Sequence, residues 1–180
     1  KIGQLTQAYR KGTDYFVDTL AQAIGMIAAA FWPRPVTHRF SDFKTNEYRN
    51  LIGGIFFEGE EEHPMLGLRG ASCYYHSSYK EAFALECAAV KKARELMGFI
   101  NIQLLIPFVR TVKEAGIVLE EMGRNGIERG QHELKILMMC ELPANVMCMD
   151  ELSQLFDGFS IGSNDLTQMT LGVDRDSAQL

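Results

Sequence analysis

The chain carries no excess of positive charge. Its 18 Lys and Arg stand against 23 Asp and Glu, a formal net charge of −5. A nucleic-acid partner therefore has no support from global charge. No run is long enough to span a membrane; the most apolar stretch, Ala21 to Trp32, is short and contains Gln22. No signal peptide, low-complexity segment or short repeat is visible. The four cysteines, Cys73, Cys87, Cys140 and Cys148, form no CxxC pair, and no histidine sits at zinc-finger spacing from them. They are expected to be reduced, mostly buried thiols of a cytoplasmic protein. The histidines (His38, His63, His76 and His132) are scattered, and none is assigned as a metal ligand.

What remains is ordinary globular composition, 47% hydrophobic and 23% charged over 180 residues. That is enough for one domain with a sizeable core. A first residue of Lys rather than Met raises the expectation of a fragment.

A β-then-α alternation recurs along the chain. Asp14–Phe31 reads as a helix with Phe16, Leu20, Ile24 and Ile27 on one stripe, ended by Pro33 and Pro35. Val36–Phe40 reads as a strand. Ser41 to Gly70 is a long connection without periodicity, a kind that is usually functional or disordered. Ser78-x-x-Glu81 and Thr111-x-x-Glu114 read as capping boxes. The first opens a helix to about Met97, stopped by Gly98; the second opens a helix that Gly126 follows. Asn101–Val109 and Lys135–Leu142 are apolar runs of the kind buried on both faces. Pro143 starts a helix to about Phe156, and Gly158–Gly162 is the next strand. Apolar strands alternating with amphipathic helices imply a parallel α/β sheet with right-handed crossovers. In such sheets ligands gather at the carboxyl ends of the strands.

Candidate residues fall at those ends. Phe159-Ser-Ile-Gly-Ser-Asn-Asp-Leu-Thr-Gln168 passes from strand to helix. The amides of Ser163, Asn164 and Asp165 thereby come to a helix start, where an anion can bind, with the Asp165 carboxylate beside them. An ordinary N-cap is an equal alternative. Glu141 ends the preceding strand, so neighbouring strands would bring two carboxylates to one rim, a set suited to Mg2+. A charge that only caps the following helix is the alternative for Glu141. Arg39 shares its strand face with Thr37, opposite His38 and Phe40; it reads either as a phosphate fork at a barrel mouth or as a surface arginine. Arg69 is flanked by glycines, and Arg175 follows the Asn164–Asp165 helix. Cys140 has the opposite parity to Glu141 and reads as packing. Met138, Met139, Met147 and Met149 read as core filler.

Several segments together carry a resemblance. They are Arg39-Phe-Ser-Asp-Phe-Lys-Thr-Asn-Glu-Tyr48, Asn50-Leu-Ile-Gly-Gly54, Pro64-Met-Leu-Gly-Leu-Arg-Gly-Ala71, Ile106-Pro-Phe-Val-Arg-Thr111, Met139-Cys-Glu-Leu-Pro143 and Phe156–Gln168, followed by Leu171–Ser177. The chain resembles the C-terminal phosphoenolpyruvate/pyruvate-binding barrel of the phosphoenolpyruvate synthases (pyruvate, water dikinases). Pyruvate, phosphate dikinase and enzyme I of the sugar phosphotransferase system belong to the same wider family. The resemblance implies a TIM-type (β/α)8 barrel, present over residues 1–180 as a single partial barrel without the family's first and last strands. It implies a gluconeogenic phosphotransferase that converts ATP, pyruvate and water to AMP, phosphoenolpyruvate and phosphate. A phosphohistidine domain of the same protein would deliver the phosphoryl group. The full-length protein is expected to be a cytoplasmic homo-oligomer.

Carried over by resemblance, Glu141 and Asp165 would hold Mg2+, and Arg39, Arg69 and Arg175 would contact the phosphoryl group. Ser163, Asn164 and Asp165, with Arg39, Arg69 and Arg175, would bind pyruvate or phosphoenolpyruvate. The family's acid/base cysteine is expected outside this chain, and the isolated chain is expected to be inactive. A magnesium-dependent aldolase or lyase on a related barrel, or a non-catalytic αβ binding module, are the alternatives.

Overall fold

A computed structural model describes residues 1–174 and 177–179. Four strands, β1 (Val36–Arg39), β2 (Ile102–Ile106), β3 (Ile136–Cys140) and β4 (Phe159–Ile161), form one sheet in that order, every pair parallel. The helices are α1 (Ile2–Thr6), α2 (Gly12–Phe31), α3 (Thr45–Arg49), α4 (Ala71–Tyr75), α5 (Lys80–Lys91), α6 (Val112–Arg124), α7 (Pro143–Met147), α8 (Met149–Leu155) and α9 (Ser163–Leu171). Parallel pairing of strands adjacent in sequence is what the alternating pattern demands, and it yields the α/β arrangement of a barrel segment.

Strand alternation sorts the sheet into two unlike faces. Ile102, Leu104, Ile106, Ile136, Met138 and Cys140 share one face with Phe40 and are buried under the helices. Thr37, Arg39, Gln103 and Ser160 lie on the other face, which is more polar and more exposed. Cys140 is thus a packing residue; burial and the neighbouring Glu141 charge push its thiol pKa up.

α2 packs through its small residues. Its buried positions are Ala21, Ile24, Gly25 and Ala28, whereas Phe16 and Ile27 of the expected stripe are exposed. The cause is close approach: a Cβ on Gly25 would lie 2.9 Å from Met97 Cε and 3.1 Å from Phe99. Met147 is likewise exposed rather than core, and the helix expected from Pro143 to Phe156 breaks into α7 and α8 at Cys148.

The Thr111 hydroxyl accepts the Glu114 amide at 3.1 Å, as an N-cap should. The Glu114 carboxylate receives the Arg110 amide instead of that of Thr111. At α5 no capping box forms. The helix starts after Tyr79, and the Ser78 hydroxyl sits 2.8 Å from His76 Nδ1. Its last turn widens into a π-helical turn, Lys92–Leu96. There Arg94, buried at the amino rim of the sheet, donates to the carbonyls of Ile100, Ile102 and His132.

The long connection after β1 is ordered by polar contacts. Arg49 binds the Glu58 carbonyl and the Glu60 carboxylate, and Glu61 joins the Thr45 hydroxyl to the Leu68 amide. Behind it, Glu86 of α5 accepts from the Ser41 amide and the Tyr79 hydroxyl, and the Tyr74 hydroxyl donates to the Ser41 carbonyl. The start of the connection is therefore pinned from inside the core.

Candidate anion and metal site at the carboxyl rim

Each strand delivers one group to the carboxyl rim. Past β1 comes Asp42, past β2 Phe108, past β3 Glu141 and past β4 Asp165. Ligand oxygens of Asp42, Glu141 and Asp165 all lie within 4.8 Å of one another. Glu141 and Asp165 are buried. Three hard carboxylate donors converging at this spacing fit Mg2+ or a similar divalent cation, which favours oxygen ligands.

Glu141 is held by the Phe108 amide, which donates to its Oε1 at 2.6 Å. Its pKa is pushed up to about 7. Burial is the main cause; the Phe108 hydrogen bond and Arg69 oppose it, and the Asp42 and Asp165 charges add to it. A bound cation would reverse that balance. Gly162 makes room for this side chain, since a Cβ there would stand 2.6 Å from Glu141 Oε2 and 2.7 Å from its Cβ. The Asn145 side chain closes the turn, accepting the Glu141 and Leu142 amides and donating to the Val109 carbonyl.

Arg69 enters the cluster from the long connection. It forms a two-point pair with Asp42, Nε to Oδ1 at 3.1 Å and Nη2 to Oδ2 at 2.7 Å, and Nη2 also reaches Asp165 at 3.3 Å. Its guanidinium carbon lies 4.0 Å from the centre of the Phe108 ring. Burial alone would lower its pKa; Asp42, then Asp165 and Glu141, outweigh that and leave it raised. The loop that carries Arg69 is fastened by Arg110, which donates to the Gly67 and Arg69 carbonyls and the Ser72 hydroxyl.

Two backbone conformations here are unusual. Phe108 has φ 52°, rare for a bulky residue, and Gly70 has φ 57° with ψ −134°, a region open in practice only to glycine. A Cβ on Gly70 would lie 2.5 Å from Phe108 Cβ and 2.9 Å from the Pro107 carbonyl oxygen. The strand expected to run to Val109 therefore stops at Ile106. Pro107 breaks it, and Phe108 turns back under Arg69.

α9 begins directly after β4. Its first helical bond runs from the Leu166 amide to the Gly162 carbonyl at 2.9 Å, so the Ser163, Asn164 and Asp165 amides occupy the first turn. Asp165 is buried, while the Ser163 and Asn164 side chains are exposed. Arg39 lies on the uncovered face, with Nη1 3.9 Å from Met139 Sδ. Met139 Cε in turn would lie 3.0 Å from a Cβ on Gly162. Arg175 lies outside the described residues. Sequence reasoning passed over Asp42, Phe108 and Arg110. Asp42 and Arg110 stand just beyond runs read as strands, and Phe108 lies inside one.

A family profile described as PEP-utilising enzyme, PEP-binding domain, matches residues 7–180. Among curated relatives, a phosphoenolpyruvate synthase of Synechocystis is 56% identical over 179 residues, covering 99% of this chain and 22% of the relative. A phosphoenolpyruvate synthase of Pseudomonas aeruginosa is 55% identical over 169 residues, 94% of this chain and 21% of the relative. One from Escherichia coli is 49% identical over 177 residues, 98% and 22% respectively. The chain thus spans about a fifth of the length of these relatives.

Proposed function

The chain belongs to the PEP-utilising enzymes, as their PEP-binding domain, and on that premise we propose that it is the pyruvate- and phosphoenolpyruvate-binding part of a phosphoenolpyruvate synthase. The whole protein would convert ATP, pyruvate and water to AMP, phosphoenolpyruvate and phosphate in the cytoplasm. A phosphohistidine domain elsewhere in it would bring the phosphoryl group, and the TIM-type barrel would be completed by strands beyond those described. One observation carries the proposal: three carboxylates and a buried arginine meet at the carboxyl rim, each strand end contributing to their placement.

The chemistry divides among these residues. Glu141 and Asp165, with Asp42 nearby, would hold Mg2+, which supplies positive charge for the enolate oxygen of pyruvate. Arg69 offers donors to a phosphoryl or carboxylate oxygen, and Arg39 and Arg175 are proposed to join it from the open face and from beyond α9. The first-turn amides of Ser163, Asn164 and Asp165 suit the substrate carboxylate. Neutralising charge on the enolate and on the moving phosphoryl group is the main catalytic task in such transfers. Phe108 keeps water from one side of Arg69, which strengthens its interactions in a low-dielectric setting.

The test uses the intact protein. Glu141→Gln and Asp165→Asn are expected to lower AMP formation from ATP and pyruvate by about 10³-fold, with circular dichroism unchanged. Oxalate, a flat analogue of the enolate, should bind only when Mg2+ is present. Full activity in either variant, or oxalate binding indifferent to Mg2+, would remove the proposal.

A further inference from the structure

We infer that Asp42 is the positioning residue of Arg69, aiming its Nη1 edge at the incoming oxyanion rather than serving the metal. The inference rests on the anion and metal site proposed above and concerns a residue that the resemblance does not assign. Both oxygens of Asp42 are committed to Arg69, at 3.1 and 2.7 Å, and the Asp42 side chain is only 2% exposed. A bidentate, shielded pair fixes the plane of a guanidinium in a way that a point contact cannot. The Phe108 ring, 4.0 Å below, fixes the same plane from its face.

Three nitrogens of Arg69 are then unequal. Nε and Nη2 face carboxylates, whereas Nη1 points to Met65 Sδ at 2.8 Å. A thioether is a weak acceptor and yields readily to a phosphoryl or carboxylate oxygen. Met65, though not Arg69, lines a cavity of about 520 Å³ between its loop and the end of α9, so the thioether has space into which it can withdraw. Asp42 itself cannot drift. The preceding Ser41 is bonded through its amide to Glu86 at 3.0 Å and through its carbonyl to Tyr74 at 2.8 Å. Glu141 and Asp165 differ from Asp42: neither is engaged by Arg69 through both oxygens in a two-point pair.

Asp42→Asn in the intact protein tests this. Titration with Mg2+ alone should give an affinity within about threefold of the unmodified protein. Oxalate affinity at saturating Mg2+ should fall about 10–100-fold, the usual cost of losing an outer-shell partner. The KM for pyruvate should rise with a smaller change in kcat, and Asp42→Asn should add little in an Arg69→Lys background. Asp42→Glu, which keeps the charge, should recover part of the loss. Overturning results are a Mg2+ affinity that falls tenfold or more, making Asp42 a ligand, or oxalate binding left unchanged, making it a bystander. Inorganic phosphate separates the two proposals. If the unmodified protein binds phosphate in an Asp42-dependent way but never binds Mg2+ with oxalate, the proposed function fails and the role of Asp42 stands.

Discussion

The two rims of the sheet each bury an arginine, and the two are built for different ends. At the amino rim, Arg94 is surrounded by carbonyls of Ile100, Ile102 and His132, neutral acceptors that close off loop ends. Burial lowers its pKa, with Glu95 and Glu133 only partly offsetting that. At the carboxyl rim, Arg69 is surrounded by carboxylates, and its pKa is raised despite burial. Carbonyls give Arg94 neutral partners, and the three bonds hold chain ends together. Carboxylates within 4.8 Å of one another concentrate negative charge that only cations relieve. The first arginine ties chain ends together; the second sits among charges of opposite sign.

Arg94→Ala should have the largest effect on stability. It leaves three carbonyls without their donor, at about 1 kcal/mol or more each, so Tm should fall by about 10 °C. Oxalate and Mg2+ affinities should change little below the transition. Arg69→Lys should do the reverse, lowering oxalate affinity about 10–100-fold while Tm moves by no more than about 3 °C. If both variants lose the same property, the contrast between the rims is false.

Gly162→Ala sharpens the comparison with no change of charge. The added Cβ would stand 2.6 Å from Glu141 Oε2, and the backbone of Gly162 is tied to the Cys140 carbonyl at 2.9 Å. The carboxylate must move. Mg2+ affinity should drop about tenfold, with a stability cost of about 1–3 kcal/mol from overpacking. Unaltered Mg2+ binding would mean that Glu141 is not a ligand.

A gentler lever is pH. With the Glu141 pKa near about 7, Mg2+ must displace a proton in acid, so affinity should fall about tenfold per unit below that value and level off above it. In metal-free protein the same group acts on stability in the opposite sense. Its folded pKa is raised, so its contribution is present below the ordinary 4.5 and is lost as pH rises towards about 7. Glu141→Gln should erase both slopes. A slope of the other sign belongs to His38, whose pKa is lowered to about 4 by burial. Its contribution is present above 6.5 and is lost as pH falls through about 4. Acid titration of His38→Phe, followed by circular dichroism, should show a shallower loss.

Local chemistry made much of this legible in the sequence. Thr111 caps its helix because its partner amide is three residues away, and no distant group competes. Glu141 and Asp165 could be paired because strands adjacent in sequence are adjacent in the sheet. Arg39 could be set opposite His38 and Phe40 by alternation alone. Ser78 failed as a cap because His76, two residues back, captures its hydroxyl. Asp42 and Phe108 were hidden for a different reason. The pairing of Asp42 and the stacking of the Phe108 ring arise only when Arg69 folds over from the far end of a long connection, and no periodicity reports that. The expected stripe on α2 failed because closeness of packing, through Gly25 and its small neighbours, outweighed side-chain size.

Strand order also sets an order of assembly. The connection between β3 and β4 is the shortest of the three, and that between β1 and β2, holding Asp42 and Arg69, is by far the longest. Closing a longer loop costs more entropy, and contacts between distant residues form late. We expect the β3–β4 unit to form first, so that Glu141 and Asp165 meet while their arginine is still unplaced. In pulse-labelled hydrogen exchange during refolding, the Gly162 amide, bonded to Cys140, should gain protection before the Phe40 amide, bonded to Leu105. Simultaneous protection of the two would refute that order. A nascent domain would then hold two like charges side by side before the guanidinium that steadies them arrives, and a divalent cation present at that stage would speed the later steps as well as serve the finished site.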